Sequence, residues 1–472
     1  MGTVSPRHFV LFPFMSQGHT IPILNLARLL HRRLLSVTVL TTPANSPSIR
    51  SSLLDTTISV VDLPFPVNIP GVPPGIESTD KLPSMSFFVP FVTATKLIQP
   101  HFEQVIASLP TVHCIISNGF LGWTQQSADK LGIPRVLFYG MSNYAMTLSS
   151  IMLREKPHAM VSSVDEVFSV PGLPWVNLTT NDFEPPFSEL EPKGAHFDFV
   201  AETGAAAFKS HGMLVNSFYD LEPRFNDYWN QKIGPRAWCV GPLCLAEPPR
   251  VQTLQKPTWV QWLDEKLAQG KSVLYVAFGS QAEMAPEQLH EIAMGLERSE
   301  VAFLWVLRSK VQEKHEFVKG FEERLKKRAL IVKEWVDQRE LLAHQSVKGF
   351  MSHCGWNSVM ESVCASVPIL ALPLMAEQHL NARMVVDELG IGLRILASNG
   401  SVRGFVESKD VERMVRELME SGKKGKEVRK KVKEVGEAAR AAMGDGGPSS
   451  RTLDLFIDEV CNKKLNLLPS PA

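Results

Sequence analysis

Residues 335–344 read WVDQRELLAH, residues 352–361 read SHCGWNSVME, and residues 373–379 read PLMAEQH. The middle piece follows a short apolar run at 348–351 and leads into a stretch with helical spacing. A strand that ends in small and polar residues and then opens a helix points backbone N–H groups, and the positive end of the helix dipole, at an anion. Asn357 and Ser358 are N-cap types with side-chain hydrogen bonds to spare. Such strand–turn–helix units are the building blocks of open, doubly wound α/β sheets.

Working outward, the same rhythm fills both halves of the chain. In the second half strands are predicted at 272–278, 302–307, 330–333, 348–351 and 368–372, with a helix over 286–297. The first half opens with a strand at 9–14, a loop at 15–19 and a helix from about Ile21 to residue 33. That helix ends in His31, Arg32 and Arg33, as the dipole favours. A strand at 36–41 completes a βαβ unit. A second unit follows, with strands at 114–117 and 134–139 around a helix at 123–131. Proline-rich stretches at 63–74 and 170–186 read as long loops. Pro248, Pro249 and Pro257 mark a linker. The prediction is α/β, with two Rossmann-like doubly wound domains facing each other across a cleft. The first domain spans 1–244, the linker 245–258 and the second domain 259–450, with a C-terminal helix and tail over 451–472.

Composition narrows the function. The 472 residues carry 49 basic and 49 acidic side chains, which argues against a basic footprint for nucleic acid. The six cysteines are scattered and form no C-x-x-C pair, which argues against zinc or thioredoxin-like chemistry and for free thiols in a reducing compartment. The apolar run at 8–15 is too short for a secretory signal, and no stretch reaches the ~18 apolar residues of a membrane span. A cytoplasmic protein without a membrane span is expected.

The 44 residues from Trp335 to Gln378 resemble the signature of plant UDP-sugar-dependent secondary-product glycosyltransferases. The Gly18-His19 loop and the Gly279-Ser280 pair extend the resemblance over the whole chain. It implies the inverting, two-domain GT-B architecture, with the C-terminal helix crossing back to the first domain. It implies a donor site made of Ser280, Trp335, Val336, Gln338, His353, Gly355, Trp356, Asn357, Ser358, Glu361, Glu377 and Gln378. Trp335 would stack on uracil and Gln338 would read the base edge. Glu361 would accept from the ribose hydroxyls. His353, Asn357, Ser358 and Ser280 would hold the diphosphate, and Trp356, Glu377 and Gln378 the sugar. Gln at the last position favours UDP-glucose. Two positions depart from the pattern: Ser366 stands where the family usually has Gly, and Leu372 where it usually has Trp. No Asp-x-Asp occurs, and neither a metal nor a cofactor is expected, the UDP-sugar being a co-substrate. The first loop has one glycine rather than the G-x-G-x-x-G of dehydrogenases.

The resemblance makes His19 the general base that takes the acceptor's proton. A base needs a group to orient it, and the family supplies Asp in a segment resembling ISD-x-F-x-x-W. This chain reads ISNGFLGW at 116–123, with Asn118 in that place. Asn accepts a hydrogen bond but carries no charge, and it can favour the wrong tautomer. Three consequences stand open: a slowed O-glycosyltransferase acting on an acidic phenol, attack by an aromatic carbon to give a C-glycoside, or a weakened UDP-sugar-binding protein. Candidate acceptor liners are Phe14, Phe88, Phe120, Trp123, Met141, Phe197 and His379. An apolar, aromatic pocket of this kind suits a flavonoid-like phenol. A monomer is expected.

Overall fold

The computed structural model describes residues 7–246, 256–279, 281, 284–307, 317–325, 327–420 and 422–463. Strands β1 (His8–Phe12), β2 (Ser36–Thr41), β3 (Ser59–Asp62), β4 (Val112–Asn118) and β5 (Arg135–Tyr139) lie in the first half of the chain. A hairpin follows, β6 (Phe168–Val170) with β7 (Leu173–Leu178), and then β8 (Gly212–Val215) and β9 (Ala237–Cys239). The second half holds β10 (Val273–Ala277), β11 (Ala302–Val306), β12 (Ala329–Val332), β13 (Val347–Ser352), β14 (Ile369–Ala371) and β15 (Gly392–Arg394).

The first sheet runs β3-β2-β1-β4-β5-β8-β9, and the second β12-β11-β10-β13-β14-β15. Every pairing in both sheets is parallel. Parallel sheets are covered by helices on both faces, and the strands accordingly read as apolar runs: HFVLF in β1 and VLYVA in β10 are buried throughout. In each sheet the order reverses between two central strands, β1 and β4 in one and β10 and β13 in the other. Open α/β sheets bind ligands beyond the carboxyl ends of the strands at that reversal.

The chain divides into two compact units. One comprises 1–143, 191–247 and 442–472, and the other 144–190 and 248–441. The predicted boundaries put 144–190 in the first domain, whereas here it belongs with the second sheet. Ionic side chains explain the grouping. Asp182 is fully buried and receives two hydrogen bonds from Arg383, each 3.0 Å. Glu184 accepts from Arg403 at 2.5 Å. The stretch predicted as one loop at 170–186 instead contains much of the β6–β7 hairpin. Most of the linker predicted at 245–258 falls outside the described residues.

The C-terminal helix, Pro448–Lys463, places Leu453, Phe456, Ile457 and Val460 in the core of the first unit with Phe9 and Trp238. The Phe456 and Trp238 rings are 5.2 Å apart. Among the described residues no helix is long and apolar enough to cross a membrane. All six cysteines are free thiols.

Candidate active site

Ser16 ends the turn after β1 in extended conformation, and the helix Gln17–Arg32 starts there. Its start is four residues earlier than predicted. Pro22, which reads as a start signal, lies inside the helix, and His19 is the helix's third residue. Asn118 is the last residue of β4. His19 and Asn118 therefore stand beyond adjacent strands at the reversal of the first sheet.

The two side chains meet: Asn118 Nδ2 lies 2.9 Å from His19 Nδ1. Asn118 Oδ1 accepts the Phe120 backbone N–H at 3.0 Å. Burial lowers the His19 pKa to about 4, against the charge of Asp80 and the Asn118 hydrogen bond, which raise it. The imidazole is thus neutral at physiological pH. Asp80 is a site residue that sequence reasoning missed. Its Oδ2 accepts the Gln17 N–H at 2.8 Å, bracing the first turn of the helix that carries His19. It lies 63 positions from Gln17 with no motif around it.

Aromatic rings surround the imidazole. Phe14 and Phe120 have their ring centroids 5.4 and 5.0 Å from that of His19. Phe88 packs on both Phe14 and Phe120, at 6.4 and 5.8 Å. Phe199, unforeseen in the sequence, joins Phe120 at 5.7 Å, while Phe197, on the same helix, is half-buried. Trp123 is 3% exposed, packs edge-on to Phe12 and Phe102, and donates from Nε1 to Thr95. That is the environment of a core side chain. Met141 is half-buried in the turn after β5.

The second unit gathers most of the motif at its own reversal. Gly279 follows β10 and His353 follows β13. A Cβ on Gly279 or Gly355 would sit 2.6 Å from His353 Nε2, so both glycines are needed for the ring to fit between them. Burial lowers the His353 pKa to about 4, opposed by a hydrogen bond with the Ala277 carbonyl. His353 Nδ1 is buried without a hydrogen-bond partner among the described residues by distance and angle. Gly355 is the N-cap of the helix Trp356–Ala365 and has no side chain to cap it. Asn357 and Ser358 lie in that helix's first turn, and Trp356 is buried. Ser280 lies outside the described residues.

Trp335 is 60% exposed. A tryptophan that serves packing does not leave its ring in water, whereas a stacking platform must. Val336 beside it is buried. Gln338 faces inward: its Nε2 donates to Ser358 Oγ at 2.9 Å and to Glu361 at 2.5 Å. Its Oε1 accepts from the Tyr275 hydroxyl at 2.9 Å. In this arrangement Gln338 holds the Glu361 carboxylate, and Tyr275, another residue missed from sequence, holds Gln338.

Gln378 Oε1 accepts the N–H groups of Leu374 and Met375 at 3.0 and 3.1 Å. This orients the amide with its NH2 end as the donor. Burial raises the Glu377 pKa, against its own backbone N–H and Asn381. His379 is 2% exposed and bonded to Arg394 Nη2 at 2.9 Å. Burial, with the charges of Arg403, Arg394 and Arg383, lowers its pKa to about 2. Among the described residues no group of three acidic, His or Cys side chains is placed to hold a metal.

A family model described as UDP-glucoronosyl and UDP-glucosyl transferase matches residues 254–425. UDP-glycosyltransferase 90A1 of Arabidopsis thaliana is 50% identical over 97% of each chain. UDP-glucose flavonoid 3-O-glucosyltransferase 7 of Fragaria ananassa is 33% identical over 96% of each. The crystal structure of Glycyrrhiza uralensis UGT73P12, complexed with glycyrrhetinic acid 3-O-monoglucuronide, superposes with a TM-score of 0.88. It is 30% identical, and the match covers 98% of this chain and 97% of that one. Two Rossmann-like sheets with a ligand position at each reversal, and relatives alike over their whole length, make this chain a member of the plant family 1 UDP-glycosyltransferases, enzymes of the GT-B fold.

Proposed function

We propose that this glycosyltransferase moves glucose from UDP-glucose onto a hydroxyl of a small hydrophobic phenol of the flavonoid kind, inverting the anomeric carbon. His19 acts as general base and Asn118 orients it. The 2.9 Å contact between these side chains at the sheet reversal carries the reading. A neutral imidazole beside the acceptor supplies, in its Nδ1–H form, a base at physiological pH, and the rings of Phe14, Phe88, Phe120 and Phe199 offer flat apolar surface to a flat acceptor. The Fragaria relative, named for a flavonoid, supports that acceptor class.

On the donor side Trp335 stacks on uracil and Glu361 takes the ribose hydroxyls. His353, Asn357 and Ser358 meet the diphosphate at a helix start, with Ser280 as a further diphosphate ligand. Gln378, with its NH2 end presented, and Glu377 hold the glucose hydroxyls. The protein acts as a monomer in the cytoplasm, where its free thiols stay reduced. Asn118 favours a second reading, a UDP-sugar binder with weakened or carbon-directed transfer.

The test is product analysis with UDP-glucose and a set of flavonols. The expected product is heavier by one hexose, O-linked and β at the anomeric carbon. Free glucose alone, or a carbon-linked product, would reject the reading.

A further inference from the structure

The hydrogen bonds around Asn118 fix more than the position of a ring. The Phe120 backbone N–H can only donate, and it meets Asn118 Oδ1. The other end of the amide, Nδ2, therefore faces His19 Nδ1. An NH2 group also only donates, so Nδ1 is the acceptor and the neutral imidazole carries its proton on Nε2. Flipping the amide would set its NH2 against the Phe120 N–H, donor against donor. Asn118 is fully buried, so bulk solvent does not relieve such a clash. A carboxylate in the same place has no such constraint. One oxygen would take the Phe120 N–H and the other the Nδ1–H, leaving the Nε2 lone pair for the acceptor.

We propose that Asn118, held by the Phe120 amide, keeps His19 in the Nε2–H tautomer and so restricts efficient transfer to acceptors whose nucleophilic oxygen ionises on its own near neutral pH. The inference rests on His19 being the acceptor-side residue. A phenolate attacks the anomeric carbon with its own electron pair. The oxygen–carbon bond forms, the bond from that carbon to UDP breaks, and UDP leaves with the bonding pair. No proton moves, and the Nε2–H serves as a hydrogen-bond donor that positions the phenolate. A neutral, weakly acidic phenol must instead pass its proton to Nε2. That requires the Nδ1–H tautomer, in which two N–H groups oppose each other across the 2.9 Å contact. Asn118 is thus a positioning residue that selects acceptors through His19.

Two measurements on the full chain test this. In ¹⁵N-histidine NMR, the His19 Nδ1 should resonate as unprotonated and Nε2 as protonated, with the assignments reversed in Asn118→Asp. Turnover is then measured over a series of phenols of graded acidity, as a function of pH. The natural chain should depend steeply on acceptor acidity, its rate following the acceptor's own ionisation. Asn118→Asp should flatten that dependence, raising the rate on the weakest acid roughly 10- to 100-fold and changing the most acidic phenol little. A protonated Nδ1 in the natural chain, or the same acidity dependence in both proteins, would overturn the inference. If neither protein transfers to any phenol, the acceptor reading fails, and the tautomer measurement still decides the inference by itself.

Discussion

Gln338 shows how a single side chain can serve a site without touching its ligand. Its amide is spent on Tyr275, Ser358 and Glu361, so in the proposed donor site its part is to set the Glu361 carboxylate. Removing the Tyr275 hydroxyl takes away one of the bonds that orient Gln338, and so loosens the amide that donates to Glu361. Tyr275→Phe should raise the KM for UDP-glucose roughly 3- to 10-fold, the scale of one hydrogen bond, while kcat stays within about twofold. Steady-state kinetics at saturating acceptor reads both, and a fall in kcat at unchanged KM would contradict the assignment. The sequence named Gln338 and Glu361 but not their bond. It also named Asn118 but not the Phe120 N–H that sets its amide. Such polarity depends on backbone geometry, and Tyr275 sits 63 residues from Gln338, so no local pattern carries it. Phe199 and Phe197 share one helix, and periodicity alone did not tell which ring reaches Phe120.

At the scale of elements, long strands with apolar runs were legible. The prediction over 36–41 matches β2, and those over 302–307 and 368–372 miss their strands by a residue at one or both ends. Short strands such as β8, β9 and β15, of three or four residues, carry too few side chains to show a period. The helix at Ser366 illustrates a departure with a cost. Ser366 ends the helix Trp356–Ala365 in left-handed conformation, φ +57°. Glycine adopts that conformation without the Cβ clash of an L-residue. Ser366→Gly should stabilise the second unit by about 0.5–1 kcal/mol, read as a rise of a few degrees in Tm. An unchanged or lower Tm would show that the long contact to Arg440, 3.4 Å, outweighs the strain.

At the scale of the whole molecule, buried histidines tie stability to pH. Burial lowers His19 and His353 to about 4, whereas in the unfolded chain they titrate near 6.5. Between these values the unfolded state binds more protons, so stability falls as pH drops from about 6.5 to about 4. Glu377, raised by burial, acts in the opposite sense, but His379, lowered to about 2, adds to the other two imidazoles. The urea midpoint should be lower at pH 5 than at pH 7.5; an equal or higher midpoint would mean that these imidazoles are not shielded. The two-sheet architecture was legible because βαβ periodicity repeats along the chain. The membership of 144–190 was not, because it is decided by Asp182 and Glu184 meeting Arg383 and Arg403, more than 200 positions away in sequence.

In the proposed reaction glucose passes to a phenolic oxygen with His19 at the reacting hydroxyl. Product formation from UDP-glucose and a flavonol is followed for the unaltered chain beside His19→Ala, with UDP affinity measured on both. The expected result is a single-hexose β-glucoside, a loss of roughly 10²-fold or more in turnover for His19→Ala, and unchanged UDP affinity. Equal turnover by the two proteins, at equal UDP affinity, would contradict it.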